Sequence, residues 1–124
     1  MTPLGIDHLV LEVGDIERSV AFYHGLLGLP CVRLEEFRAG KAPFVSVRVG
    51  SSLIDLFVSS NPGSGPNHFC LEFAESIDVL RHTLEQAGWH SEASKLRYGA
   101  KGNGQSFYVE DPDGHRLEIR SYAV

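Results

Sequence analysis

Polar and apolar residues alternate from residue 6 to residue 13, with Leu9, Leu11 and Val13 on one face and His8, Val10 and Glu12 on the other. A period of two predicts a half-buried strand. The pattern then changes: Ile16, Ser19, Val20, Tyr23 and Leu27 fall on one helical stripe, with Asp15 placed to cap its start and Gly28 to end it. Strands return over 31–36, 44–49 and 53–58, separated by Gly40-Lys41 and by Gly50-Ser51-Ser52. The same order then recurs. A strand over 67–73 precedes a helical stripe of Ile77, Leu80, Leu84 and Ala87, bounded by Ser76 and Gly88. Strands over 89–93, 106–109 and 115–121 follow, the last two joined by the turn Asp111-Pro112-Asp113-Gly114.

Residues repeat as well as elements. The run from His8 to Val13 and the run from His68 to Phe73 share the pattern H-x-x-L-E-apolar, and the same offset carries Gly28 onto Gly88. At a slightly larger offset, Ile54-Asp55-Leu56 matches Leu117-Glu118-Ile119. The chain therefore reads as one α+β domain over 1–124 made of two βαβββ modules, 4–58 and 67–122, with the Pro/Gly/Ser-rich stretch 59–66 as linker. Each module predicts a curled half-sheet with its helix on the outer face, and two halves predict a cup-like mixed sheet.

Strand alternation assigns side chains to faces. The apolar set of each strand packs on the helices. His8 and Asp55 in the first module and His68 and Glu118 in the second then share the opposite, concave face at repeat-equivalent places. Two imidazoles and two carboxylates are the donors expected of an octahedral divalent-metal site, with Fe, Mn, Ni, Zn or Co all compatible. Glu12 and Glu72 repeat too and are expected to line the cup or to orient the histidines. Tyr108, Glu110, Arg116 and Arg120 are further inward candidates for binding an acidic substrate, whereas His115 is expected at the solvent-exposed turn.

Charge and composition narrow the partners. The net charge is −5, without a block of like charges, which argues against nucleic acid or an anionic membrane and for a small-molecule ligand. No apolar run approaches the roughly 18 residues that span a bilayer, and residues 1–8 carry no secretory pattern, so a cytoplasmic location is expected. The two cysteines, Cys31 and Cys70, form no metal or redox pair and are expected to be buried free thiols.

Four segments carry a family resemblance: Ile6-Asp7-His8-Leu9, the run Ala21-Phe22-Tyr23 with Leu26-Leu27-Gly28, Asn67-His68-Phe69, and the long run from Ser106 to Glu118. The chain resembles the vicinal oxygen chelate superfamily, which includes glyoxalase I, extradiol dioxygenases, fosfomycin-resistance enzymes and bleomycin-resistance proteins. The resemblance implies metal ligands at His8, His68 and Glu118, absent from the bleomycin-binding members, and hence an enzyme with one divalent ion per site. At the fourth position glyoxalase-like members have Glu where this chain has Asp55, one methylene shorter. With Asp55 as a ligand, two octahedral positions stay open, which suits a lyase or isomerase using a side-chain base. Without it three stay open, which suits an extradiol-type dioxygenase or thiol transfer to an epoxide. The glycine-rich run from Gly99 to Gln105, with Lys101, resembles the phosphonate-holding loop of fosfomycin-resistance enzymes, with Ser106 and Tyr108 as the matching substrate-binding positions. Because glycine runs are ordinary turn material, a flexible lid or connector is the favoured reading of this run. A metal-free binding protein that sequesters an antibiotic or aromatic compound is the alternative of a different class. Chains of this size in the superfamily commonly form homodimers with sites at or near the subunit interface, so the ligands of one ion can come from two chains.

Overall fold

A computed structural model describes all 124 residues, which divide into two compact units, Met1–Gly65 and Pro66–Val124. The first contains β1 (His8–Val13), α1 (Ile16–Val20), which continues as a π-helical turn over Ala21–Leu26, β2 (Cys31–Val32), α2 (Leu34–Arg38), β3 (Val45–Val49) and β4 (Ser52–Val58). The second contains β5 (Phe69–Glu72), α3 (Ile77–Gln86), β6 (Lys95–Gly99), β7 (Gly102–Glu110) and β8 (Arg116–Ser121). Their sheets have the same topology: β1-β4-β3-β2 and β5-β8-β7-β6, each with one parallel pair and two antiparallel pairs. This is the α+β arrangement expected from the repeated pattern. No helix is long and apolar enough to cross a membrane.

Both crossover helices begin and end where the sequence signals them. The Asp15 carboxylate accepts the Arg18 amide at 3.3 Å and the Ser76 hydroxyl accepts the Val79 amide, each satisfying an orphan N–H of a first turn. At the other ends Gly28 and Gly88 take φ of 80° and 86°, which a side chain would resist. Ile16, Val20, Phe22 and Tyr23 are buried in the first unit together with Leu11, Val13, Ile54 and Leu56. In the second, Leu84 is buried along with Leu71, Phe107, Leu117 and Ile119. The apolar sets of the strands thus form each core, which leaves the other sheet face for chemistry.

Several boundaries differ from expectation. The strand expected over 31–36 stops after Val32, because Arg33 adopts a left-handed conformation and Leu34–Arg38 coils into α2. The Leu34/Phe37 spacing and the ion pairs of Arg38 with Glu17 and Glu35 favour that helix over an extended segment. No strand forms over 89–93. The edge strand lies instead at Lys95–Gly99 and runs into the glycine stretch, while β7 begins at Gly102 rather than Ser106. The glycine run is therefore a β-hairpin. Lys101, the cation expected to serve that loop, donates to Glu72 at 2.7 Å. Cys31 is only half-buried and Cys70 is exposed, because Cys70 stands on the polar face of its sheet. His115, expected in solvent, is buried: the Asp111 carboxylate accepts the amides of Asp113 and His115, both at 2.9 Å, and folds the turn back on itself.

Candidate functional site

In the first unit the parallel pairing of β1 with β4 sets His8 one diagonal step from Asp55, since Val10 is the direct partner of Asp55. His8 Nε2 lies 3.9 Å from Asp55 Oδ2. In the second unit β5 and β8 repeat the geometry: Cys70 is the direct partner of Glu118, and His68 Nε2 lies 3.7 Å from Glu118 Oε1. The sequence-predicted ligands thus form two register-equivalent imidazole–carboxylate pairs, one per unit.

The residue before each histidine orients it. His8 Nδ1 lies 2.7 Å from Asp7 Oδ2 and His68 Nδ1 lies 2.8 Å from Asn67 Oδ1. Both partners are acceptors, so Nδ1 carries the proton and Nε2 turns its lone pair toward the carboxylate. The bond to Asp7, reinforced by the Asp55 charge, raises the His8 pKa above its ordinary 6.5. The orienting role expected of Glu12 and Glu72 therefore belongs to Asp7 and Asn67. Their identical placement one residue before each histidine of the repeat was a readable signal.

The two carboxylates are held differently. Asp55, 7% exposed, accepts the Ser46 hydroxyl on Oδ1 at 2.7 Å from its antiparallel partner position on β3. Its Oδ2 carries no hydrogen bond and faces His8. Glu118, 5% exposed, is fastened by Arg120 Nη2, which donates to Oε2 at 2.8 Å, and the nearby Ser106 and Tyr108 hydroxyls favour its charged form. Burial alone would raise the Glu118 pKa. The bonds from Ser106, Arg120 and Tyr108 outweigh it, so the carboxyl is held below its ordinary range and stays anionic.

Of the five residues considered for substrate, Arg120 holds Glu118 directly and Ser106 and Tyr108 stand beside it. Arg120 is 4% exposed and also donates to the carbonyls of Arg97 and Tyr98, at 2.9 and 3.1 Å, which ties β8 to the edge strand β6. Ser106 is fully buried and accepts Arg97 Nη1 at 3.0 Å. Tyr108 meets His68 edge-on at 5.5 Å. Arg116 and Glu110 are exposed; Arg116 lies 3.8 Å over the Tyr108 ring, where a cavity of about 390 Å³ opens between Trp89, Tyr108 and Glu110. Ser46 and Arg97 were missed. Ser46 could have been found by alternation on β3, opposite Asp55.

The pairs fit a divalent ion. Metal–nitrogen and metal–oxygen bonds are each about 2.0–2.2 Å, so donors 3.7–3.9 Å apart lie within two bond lengths of each other, too far for a hydrogen bond and close enough to share a metal. In neither unit do three such side chains gather; each unit holds one imidazole–carboxylate pair.

Comparison with known proteins agrees with this architecture. A family model described as the Glyoxalase/Bleomycin resistance protein/Dioxygenase superfamily matches residues 5–119. A virulence protein of Salmonella typhimurium is 32% identical over 126 residues, spanning 94% of this chain and 83% of that protein. Its crystal structure superimposes with a TM-score of 0.83 at 30% identity, covering 99% of this chain and 100% of the other. The glutathione transferase FosA of Serratia marcescens is 29% identical over 136 residues, 92% of this chain and 78% of that enzyme. A lactoylglutathione lyase of Neisseria meningitidis is 26% identical over 122 residues, 90% of this chain and 86% of the lyase.

Proposed function

The chain belongs to the Glyoxalase/Bleomycin resistance protein/Dioxygenase superfamily, and from that premise we propose that it is a divalent-metal-dependent lyase or isomerase of the glyoxalase kind, acting on a small molecule with two neighbouring oxygens. The observation that carries the reading is the repeated imidazole–carboxylate pair, with each imidazole oriented by the residue before it. The ion's protein ligands are one pair of each kind, His8 with Asp55 and His68 with Glu118, supplied within one chain or across a homodimer. Fe, Mn, Ni, Zn and Co all suit these donors.

When bound, the metal supplies Lewis-acid polarisation of the two substrate oxygens. The protein supplies the proton chemistry. Glu118 is less suited to moving a proton: the buried Arg120 guanidinium donates to it and its pKa is held down. Asp55 is fastened at Oδ1 alone, so Oδ2, the same atom that would face the ion beside His8, would have to yield that place to take a proton from the carbon beside the substrate carbonyl and return it to the neighbouring carbon. Ser46 keeps that carboxylate from rotating away.

The test is turnover of a hemithioacetal by metal-loaded protein and by Asp55→Asn, which retains the shape and loses the base. Turnover by the variant is expected to fall roughly a hundredfold or more, in the range for removing a general base. Unchanged turnover would refute Asp55 as the base, and oxygen-dependent ring opening of a catechol in place of hemithioacetal turnover would assign the chain to a three-ligand dioxygenase. Conjugation of a thiol to an epoxide would do the same for a transferase. Ligand binding without any metal would leave a sequestering protein.

A further inference from the structure

We propose that Arg33 and the stacked rings of Phe44 and Phe57 form the subsite for the non-reacting end of the substrate, a flat apolar or aromatic group that carries an anion. The proposal rests on Asp55 belonging to the reacting site. On the face of the first sheet that bears Asp55, the antiparallel strands β3 and β4 set Ser46 opposite Asp55. The next position on that face holds Phe44 and Phe57, about 7 Å along the strands by the rise of two residues. Their rings stack at 4.3 Å with 22° between planes, and both are half-buried. They play no part in the core, which the intervening Val45 and Leu56 fill from the other face.

The repeat shows what this pair is not needed for. In the second unit Tyr108 opposes Glu118 as Ser46 opposes Asp55, and one step along, Ser106 opposes Arg120. There the equivalent pair is polar, buried and committed to fastening the carboxylate. The first unit departs from its own duplicate at this one step by placing two accessible aromatic rings beside its reactive carboxylate.

Arg33 completes the surface. Its guanidinium lies 4.4 Å over the Phe44 ring, and the side chain makes no hydrogen bond or ion pair. It is also the one non-glycine residue with positive φ, at 68°, a conformation costing on the order of 1–2 kcal/mol for a residue with a Cβ. Strain kept at an exposed arginine over an aromatic shelf points to use. Across Phe57 from Phe44, on the β1 side, a cavity of about 420 Å³ bordered by Val10, Glu12 and Val58 lies within the size range of small-molecule sites; Glu12 opposes Phe57 there, so only the apolar part of the ligand would enter it and the anion would lie on the Arg33 side. An arene can stack on the phenyl rings, and a carboxylate or phosphonate can take the unpaired guanidinium donors in bidentate fashion. A cationic tail would meet Arg33 unfavourably.

The test uses two probes that share a ring, 2-naphthoate and uncharged 2-naphthylmethanol, titrated by naphthalene fluorescence into full-length metal-free protein. The wild type is expected to bind naphthoate at least tenfold more tightly than the alcohol. Arg33→Gln, which keeps the same backbone demand, is expected to abolish that ratio while leaving the alcohol's affinity unchanged. Phe57→Leu is expected to weaken both probes severalfold, with circular dichroism to verify folding; if that variant does not fold, Arg33→Gln carries the decision alone. A naphthoate preference that survives Arg33→Gln, or no binding of either probe at millimolar concentration, overturns the proposal. Nickel titration of the same samples separates the two readings. A wild type that shows no probe preference yet binds nickel counts against the subsite alone, and a wild type that shows the preference yet binds no nickel counts against the metal enzyme.

Discussion

Replacing Gly99 by Ala tests whether the glycine run exists to seat the residues behind Glu118. A Cβ at Gly99 would stand 2.6 Å from the Tyr122 hydroxyl oxygen and 2.7 Å from both Cζ and Nη1 of Arg120. Ordinary carbon contacts are about 3.5–4.0 Å, so both side chains must move. Tyr122 can swing outward. Arg120 cannot follow without stretching its bonds to the Arg97 and Tyr98 carbonyls and to Glu118. Overpacking of this kind costs roughly 1–3 kcal/mol, and weakening one charge-assisted hydrogen bond adds about 1.5 kcal/mol. Alanine in a strand recovers about 0.5–1 kcal/mol relative to glycine. The expected net loss is about 3 kcal/mol, which for a chain of this length lowers Tm by roughly 9–18 °C. Gly25 is the control, because a Cβ there meets nothing within 4 Å and its φ is ordinary. Gly25→Ala should melt at or slightly above the wild-type temperature, having gained helix propensity. Thermal denaturation followed by circular dichroism reads both. A Gly99→Ala protein that melts with the wild type would refute the packing argument and return the run to the status of a simple turn.

Other expectations follow from the same contacts. Ser46→Ala removes the one hydrogen bond that orients Asp55 and should lower metal affinity severalfold, with a stability loss of about 1–3 kcal/mol for the buried acceptor, read by calorimetry and urea denaturation. Arg33→Gly relieves the left-handed backbone and should raise Tm by a few degrees while abolishing naphthoate preference, a trade that separates stability from binding. The Glu17 carboxyl, held below its ordinary 4.5 by the hydrogen bonds from Arg38, should titrate below that value by NMR. Its folded pKa is depressed, so its contribution is present above pH 4.5 and is lost as pH falls through the folded pKa. Glu17→Gln should flatten the acid limb of the stability curve there.

The repeat made most of the architecture legible, because a strand motif with His and Leu-Glu at fixed spacing occurs twice and forces the same topology on both halves. Alternation then put His8, Asp55, His68 and Glu118 on the correct faces. What it could not reveal was how firmly each carboxylate is held. Sequence shows Arg120 as an inward charge near Glu118 but not that its guanidinium is buried and bound to two carbonyls of a neighbouring strand. Assignment of Arg120 to substrate followed from that blind spot. The misplaced edge strand has a local cause. Glycine has low strand propensity, and only the packing of Tyr122 and Arg120 against Gly99 and Gly104 explains why glycine is needed in β6 and β7. Arg33 was hidden similarly, since nothing in the run from Cys31 to Glu36 announces a left-handed residue that is neither glycine nor asparagine.

If the two imidazole–carboxylate pairs are the ligands of one kind of divalent-metal site, calorimetric titration of nickel or zinc into metal-free protein shows it most directly. One tightly bound ion per site is predicted for the wild type, with affinity lost in both His8→Ala and His68→Ala and reduced in Asp55→Ala. Tight binding that survives either histidine substitution, or wild-type protein that takes up no stoichiometric metal, would contradict that assignment.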